Sequence, residues 1–234
     1  MTAEEAEAAA RWAKAHKKEF IEKFVADAKV EPQEFPVGIF MAGLPGAGKT
    51  EITRNIIKNY NLDILRIDMD EIASQIEGYK PEEADKFRYG ATILLSEVFK
   101  HALHHKLDFI MDGTFGNKKA EENIARAIKH GYRTKIIYAH QDPNLAWAFT
   151  RAREKVEHRS IKLEGFVDTY FKLAENLRRI AKDRSDEVDF DIVYKTKDNK
   201  IGEWKENVVP NKVDDFVKTE YNKDKLIESL LKGI

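Results

Sequence analysis

Gly43, Gly48, Lys49 and Thr50 stand at the spacing G-x-x-x-x-G-K-T, within VGIFMAGLPGAGKT from Val37 to Thr50, which carries a further glycine at Gly46. This combination suits the binding of a polyphosphate. Glycines take backbone angles that other residues avoid. The loop Gly43, Leu44, Pro45, Gly46, Ala47 and Gly48 can therefore turn its N–H groups inward onto phosphate oxygens. The helix that opens at Lys49 adds its positive end. Lys49 reaches the β- and γ-phosphates, and the Thr50 hydroxyl is placed to ligate Mg²⁺. The expectation is a bound nucleoside triphosphate with Mg²⁺, with nothing yet said about what receives the phosphate.

Other polar groups follow apolar runs in the same way. LDILRI (Leu62–Ile67) ends at Asp68 and Asp70, Phe109–Met111 at Asp112 and Thr114, and TKIIYA (Thr134–Ala139) at His140, Gln141 and Asp142. Two classes of protein use such a loop. In switches and motors the acceptor is water; in small kinases it is a hydroxyl of a second ligand. A kinase needs a carboxylate to take the hydroxyl proton, a pocket for the acceptor, and cations over the transferring phosphoryl group. Asp70 suits the first task, or else caps the helix beginning near Glu71 or orders Mg²⁺ through water. Asp68 is a supporting group near the substrate. Asp112 and Thr114 suit hydroxyl contacts, or Asp112 helps hold Mg²⁺, or both sit in a plain strand-to-helix turn. The cations are Arg151, Arg153, Arg159, Arg178, Arg179 and Arg184. Arginine spans two phosphate oxygens with a fork that stays charged. His101, His104 and His105 share a helix face, but no carboxylate is placed with them as a metal ligand.

These residues need a scaffold that gathers strand ends. Apolar strand, polar loop and helix recur, which predicts parallel strands with crossover helices and a ligand crevice at the strands' carboxyl ends. The fold class expected is α/β, a parallel-sheet phosphate-loop fold. Predicted strands are 37–42, 62–67, 109–111 and 134–139, with helices at 50–59, 81–106 and 118–130, the last closed by Gly131. Residues 143–184 form a helical, arginine-bearing lid with a segment at 159–165 placed beside the site. Residues 191–204 read as two short strands around the turn 197–200, and 214–231 as one terminal helix. Residues 2–30 form a helix, with Thr2 and Glu5 as a capping box; it either docks a partner or packs on its own domain. The prolines of 31–36 mark a linker. The domains are an N-terminal extension, 1–35, and the main domain, 36–234.

With 234 residues, 42% of them hydrophobic, the chain can bury the core of one such domain. Its net charge of −1 creates no basic field to attract nucleic acid or an anionic membrane. The absence of cysteine excludes disulfides and thiolate chemistry. No signal peptide and no apolar run long enough to span a bilayer are visible, so the expected location is the cytoplasm.

AGLPGAGKT, RIDMDEI, FIMDGTF, the arginine-bearing lid and DIVYKTKDNKIGEW, taken in order, resemble the zeta toxin family over residues 36–204. The resemblance implies an ATP- and Mg²⁺-dependent kinase of toxin–antitoxin systems. Family members phosphorylate the 3′-hydroxyl of the sugar in UDP-N-acetylglucosamine, and the implied partner is an antitoxin protein. It makes Lys49 the triphosphate lysine, Thr50 the magnesium-side threonine and Asp70 the catalytic base. It makes Arg153 and Arg159 the lid arginines, with Arg151 competing. Asp112-Gly113-Thr114 resembles an E-G-T string that holds the sugar nucleotide, with the shorter acid here. Gly116 stands where the family often has arginine, with Asn117, Lys118 or Lys119 placed to compensate. The G-G-H-x-V-P string of many relatives is absent. These departures keep a kinase for another acceptor open: a nucleoside, an antibiotic, another sugar or a nucleic-acid end. A nucleotide-binding regulator without transfer activity is also open.

Overall fold

The computed structural model describes residues 3–157, 161–217 and 219–232. In chain order its elements are α1 (Ala3–Ala28), β1 (Val37–Gly43), α2 (Lys49–Tyr60), β2 (Leu65–Ile67), α3 (Met69–Ser74), α4 (Ala84–His105) and β3 (Phe109–Asp112). They continue with α5 (Lys119–Lys129), β4 (Arg133–His140), α6 (Pro143–Glu157), α7 (Leu163–Asp183), β5 (Val188–Lys195), β6 (Ile201–Lys205), α8 (Val213–Phe216) and α9 (Lys223–Lys232).

The strands form one sheet in the order β2-β3-β1-β4-β5-β6. The pairs from β2 to β5 are parallel, and β6 returns antiparallel as a hairpin. The α/β class expected from the strand–loop–helix repeat is therefore the observed one. The loop-bearing strand β1 lies centrally, with β3 on one side and β4 on the other, which places a crevice at its carboxyl end. The strand cores are apolar because both faces are covered by helices: Phe40, Met41, Leu65, Ile67, Phe109, Ile110, Ile136 and Phe190 are buried. Edge-to-face packing of Phe40, Phe99 and Phe109 fixes α4 on the sheet.

Helix α1 packs on the domain's own surface: Ala9, Ala13, Phe20 and Phe24 are buried in the common core. A Cβ on Gly90 of α4 would lie 2.6 Å from the Ala9 carbonyl oxygen, so glycine there lets the two helices touch backbone to backbone. The Trp12 indole N–H donates to Glu77. Thr2 of the expected capping box lies outside the described residues.

Several boundaries differ from the sequence expectation. The second strand is shortened to Leu65–Ile67, and the helix after it begins at Met69. Its cap is Asp68, not Asp70. The terminal helix is broken into α8 and α9. Tertiary anchors override helical propensity there: Val217 is buried, its carbonyl accepts from Arg178, and the Glu220 N–H donates to the Tyr170 hydroxyl. Buried Leu226 and Leu230 then seat α9, and Ser229 donates to Asn144 of α6. The lid helices are thus braced from outside. Of the expected segment 159–165, residues 159 and 160 lie outside the described residues, and Leu163 already belongs to α7.

Candidate active site

The loop between β1 and α2 takes the shape its glycines allow. Gly46 and Gly48 have φ of +77° and +76°, in the left-handed region. A Cβ at Gly46 would come within 2.1 Å of the Ala146 carbonyl oxygen and 2.6 Å of Thr150 Oγ1. Leu44 and Ala47 are buried beneath the loop, and Pro45 lies half-buried at its bend. The loop, closed by Ala47 N–H to the Leu44 carbonyl at 3.1 Å, leads into the positive N-terminus of α2, the setting that takes a phosphate chain.

Lys49 is held at the centre. Its Nζ donates to the carbonyl oxygens of Gly43 (3.1 Å) and Leu44 (2.9 Å). Burial pushes its pKa down, Asp112 acts against that shift, Arg153 adds to it, and Asp68 and Asp70 oppose it. Side chains from α2, β3, α3 with its cap, and α6 therefore share one electrostatic neighbourhood. Thr50 Oγ1 donates to Asp112 Oδ2 at 3.0 Å. This contact follows from the parallel pairing of β1 with β3, which sets Met41 opposite Asp112. The Asp112 side chain is only 6% exposed. Burial raises its pKa, while Lys49, the Thr50 hydrogen bond and Arg66 pull it back and Asp68 adds to the rise.

Asp68 has both oxygens engaged. Oδ1 accepts the N–H groups of Asp70 (2.9 Å) and Glu71 (2.8 Å), capping α3. Oδ2 accepts from Arg66 at 2.8 Å. Arg66 also donates to Glu71 at 2.6 Å and lies 3.8 Å from Asp112. It ties the ends of β2 and β3 together. Asp70 is thereby fixed in the first turn of α3, half-buried, facing the same region as Lys49.

Thr114 is half-buried beyond Asp112, and its Oγ1 accepts the Gly116 N–H at 3.4 Å. Asn117 is exposed, and its Oδ1 accepts the Lys119 N–H at the start of α5. Phe115 between them has φ +58° and is buried. Its carbonyl accepts from Asn176 of α7 at 2.6 Å, and Asn176 also accepts from Arg179, which pairs with Glu121. A Cβ on Gly116 would lie 3.1 Å from Thr169 Cγ2. The segment after β3 is thus braced by α7. Of the lid arginines, Arg153 contributes to the field at Lys49. Arg151 instead stacks over Trp147 and pairs with Glu154. Arg159 lies outside the described residues.

His140 packs beside Tyr138 and Tyr194, where burial lowers its pKa. Asp142 caps α6 through the N–H groups of Asn144 and Leu145. The His101 and His105 rings lie with centroids 4.1 Å apart, tilted by 30°. Among the described residues, no group of three or more His, Asp or Glu side chains forms a metal cage. Mg²⁺ does not need one: it binds through one or two protein groups together with substrate phosphates and water. Thr50 and Asp112 fit that requirement. Arg66 and Asn176 carry no local signal in the sequence, and Arg179, expected as a lid cation, pairs instead with Glu121 and Asn176. Only their pairing across strands and helices reveals them.

A central glycine-rich loop with Lys49 and Thr50 at its exit, on a parallel sheet of this order, defines a phosphate-loop fold of the kinase type. A family model described as Zeta toxin matches residues 22–208, and the chain belongs to the zeta toxin family. No curated protein sequence matches it. Among solved structures it is similar to one from work on the PezAT chromosomal toxin–antitoxin system of Streptococcus pneumoniae. That match has 16% identity and a TM-score of 0.68, covering 94% of this chain and 95% of the other. It is also similar to an AvrRxo1-ORF1:-ORF2 complex with ATP, at 10% identity and a TM-score of 0.57, covering 98% of this chain and 84% of the other. At these identities the structural likeness speaks for the fold. No described helix is long and apolar enough to cross a membrane.

Proposed function

We propose that the protein is an ATP- and Mg²⁺-dependent kinase that transfers the γ-phosphate to a sugar hydroxyl, with UDP-N-acetylglucosamine as the leading acceptor. The observation that carries this reading is the set of acids beside the loop: Asp112 accepts from Thr50 at 3.0 Å, Arg66 links Asp112 to Asp68, and Asp68 caps the helix whose first turn carries Asp70. A hydrolytic switch needs a positioned water. We assign to Asp70, half-buried in the first turn of α3, the carboxylate role that a second ligand's hydroxyl requires.

In this reading the loop N–H groups and Lys49 hold the β- and γ-phosphates. Asp70 accepts the acceptor's hydroxyl proton as its oxygen bonds to the γ-phosphorus. The bond to the bridging oxygen breaks and ADP leaves. Arg153, with Arg159, covers the charge on the transferring group. Mg²⁺, held by Thr50 and Asp112, would neutralise charge on the β- and γ-phosphate oxygens. Asp112 is better suited to this duty than to the acceptor, because its Oδ2 already engages Thr50. Thr114 then remains the acceptor-facing group of that string. Asp68 and Arg66 position Asp70.

Family membership supports the kinase reading and the toxin–antitoxin setting of a structural neighbour supports an antitoxin partner, while the UDP-sugar acceptor and a cytoplasmic location are part of the proposal. A second reading, a kinase for a different acceptor, is favoured by Gly116. It supplies no side chain where the family often has arginine, and a Cβ there would lie 3.1 Å from Thr169 Cγ2. Incubation with ATP, Mg²⁺ and a panel of UDP-sugars tests both. A mass gain of one phosphate on UDP-N-acetylglucosamine is expected. No product with any UDP-sugar, while another acceptor is phosphorylated, selects the second reading. Full activity in Asp70→Asn removes Asp70 as the base.

A further inference from the structure

A second lysine lies against the phosphate loop. Lys195 ends β5, at the point where the pairing with β6 slips between Tyr194 and Lys195. Such a bulge re-aims a side chain. Lys195 is turned toward the loop: a Cβ on Gly48 would lie 3.0 Å from its Nζ and 3.0 Å from Asn199 Oδ1. Its side chain is 0% exposed, and its ammonium meets Glu51 Oε2 at 3.1 Å, where Glu51 is 51% exposed. Glu51 follows Thr50 in the first turn of α2.

The hairpin tip is held in this position. Gln141, buried at the end of β4, donates to the Thr196 carbonyl at 3.0 Å and to Asn199 Oδ1 at 3.4 Å. The turn closes on itself through Thr196 N–H to Lys200 O and Asn199 N–H to Thr196 O, both 2.9 Å. Lys195 and Asn199 are thus carried by an anchored element.

The strand order fixes which end of a nucleotide they meet. Asp68, Asp70 and Asp112 lie at the ends of β2 and β3, on one side of β1. With Asp70 as the proposed base, the γ-phosphate would face that side, and the α-phosphate and nucleoside would lead away from it toward β4 and β5. There the hairpin closes on Gly48 and Glu51. We infer that Lys195 is a nucleotide-binding residue for the α-phosphate end of the triphosphate, exchanging its Glu51 partner for a phosphate oxygen, with Asn199 beside it. Glu51 acts as a counter-ion for Lys195 and repels the incoming phosphates until the exchange occurs. The inference rests on the nucleoside triphosphate reading of the loop.

Calorimetric titration of the full chain with ATP and with ADP, with Mg²⁺ present, tests it, using Lys49→Met as the reference for a lost phosphate site. Lys195→Gln is expected to weaken ATP and ADP alike, by about tenfold, because both carry the α-phosphate and one charge-assisted hydrogen bond is lost. Glu51→Gln is expected to tighten both by a few-fold, since it frees Lys195 and removes a repelling charge. A role confined to stability would not make binding tighter in one variant and looser in the other. ATP binding that fails in Lys49→Met but is unchanged in Lys195→Gln overturns the inference and leaves the loop reading intact. Should Lys195→Gln not fold, Glu51→Gln decides: tighter binding supports the exchange and unchanged or weaker binding overturns it. Wild-type protein that binds neither nucleotide overturns the underlying reading, and the inference with it.

Discussion

Replacing Asp68 separates a positioning role from a substrate contact. The residue is 7% exposed and holds three donors: two α3 N–H groups on Oδ1 and Arg66 on Oδ2. Asp68→Ala removes a helix cap, about 1 kcal/mol. It also removes a charge-assisted hydrogen bond, about 2 kcal/mol. Arg66 keeps Glu71 at 2.6 Å, so the larger penalty of an unpaired buried charge is avoided. The sum is about 3 kcal/mol, or a fall in melting temperature of about 6–12 °C for a domain of this size. Asp68→Asn keeps a cap oxygen but sets its amide against Arg66, so it loses about 2 kcal/mol. Urea denaturation measures both. Steady-state kinetics adds the mechanistic readout: if Asp68 orients Asp70, Asp68→Asn lowers kcat and leaves the acceptor KM unchanged. A loss below about 1 kcal/mol in Asp68→Ala, or a raised acceptor KM without loss of stability in Asp68→Asn, would refute the positioning role.

Asp112→Asn is expected to flatten one limb of the pH–stability profile. The folded-state pKa of Asp112 is raised by burial, so the folded protein holds that proton to higher pH than the unfolded chain. Its stabilising effect is full below the ordinary aspartate range and is lost as pH rises through the raised folded-state value. Urea midpoints across pH should show the wild type losing ground to Asp112→Asn through that window, while the variant's Mg²⁺-dependent turnover falls. A variant less stable than wild type at pH 7 contradicts burial as the dominant cause. Gly46→Ala places a Cβ 2.1 Å from the Ala146 carbonyl oxygen at φ +77°. The left-handed strain and backbone overlap together cost about 3 kcal/mol in urea denaturation, and a loss below 1 kcal/mol would show that α6 yields easily. Arg153→Gln is expected to lower kcat about 100-fold while the melting temperature moves by less than about 2 °C, since the residue is exposed on α6. Unchanged kcat assigns phosphoryl coverage to another cation.

The legible part of the sequence was the part written in local patterns. The glycine spacing announces the loop, and apolar runs ending in acids announce the crevice. The sheet bears this out by setting β1 between β3 and β4. The rest depends on contacts between distant segments. The capping oxygen could belong to Asp68 or Asp70 on composition alone; it is Asp68 because the helix starts two residues earlier than its apolar periodicity suggests. The Thr50–Asp112 bond exists because parallel register brings two strand ends level. No local signal separates that duty from an acceptor contact. The terminal helix breaks because Val217, Glu220, Leu226 and Leu230 each meet an anchor on the lid helices, and no single helix satisfies all of them.

The same physics explains why the two ends of the crevice differ in how firmly they are built. The donor side is set by backbone: glycine angles, the helix terminus and a lysine held by two carbonyls. Few residue types satisfy such constraints, so the motif survives as a readable string. The side proposed for the acceptor is set by side chains that brace one another, with Arg66 tying Asp68 to Glu71, and Asn176 holding the carbonyl of Phe115, which has φ +58°. Gly116 closes against Thr169 in that brace. A change at any of these positions alters the shape offered to the acceptor without touching the phosphate loop. Selectivity in this fold can therefore drift through α7 and the segment after β3 while the transfer chemistry is kept. The segment from Asp112 to Asn117, with Thr169 and Asn176 above it, is where an altered acceptor would be written.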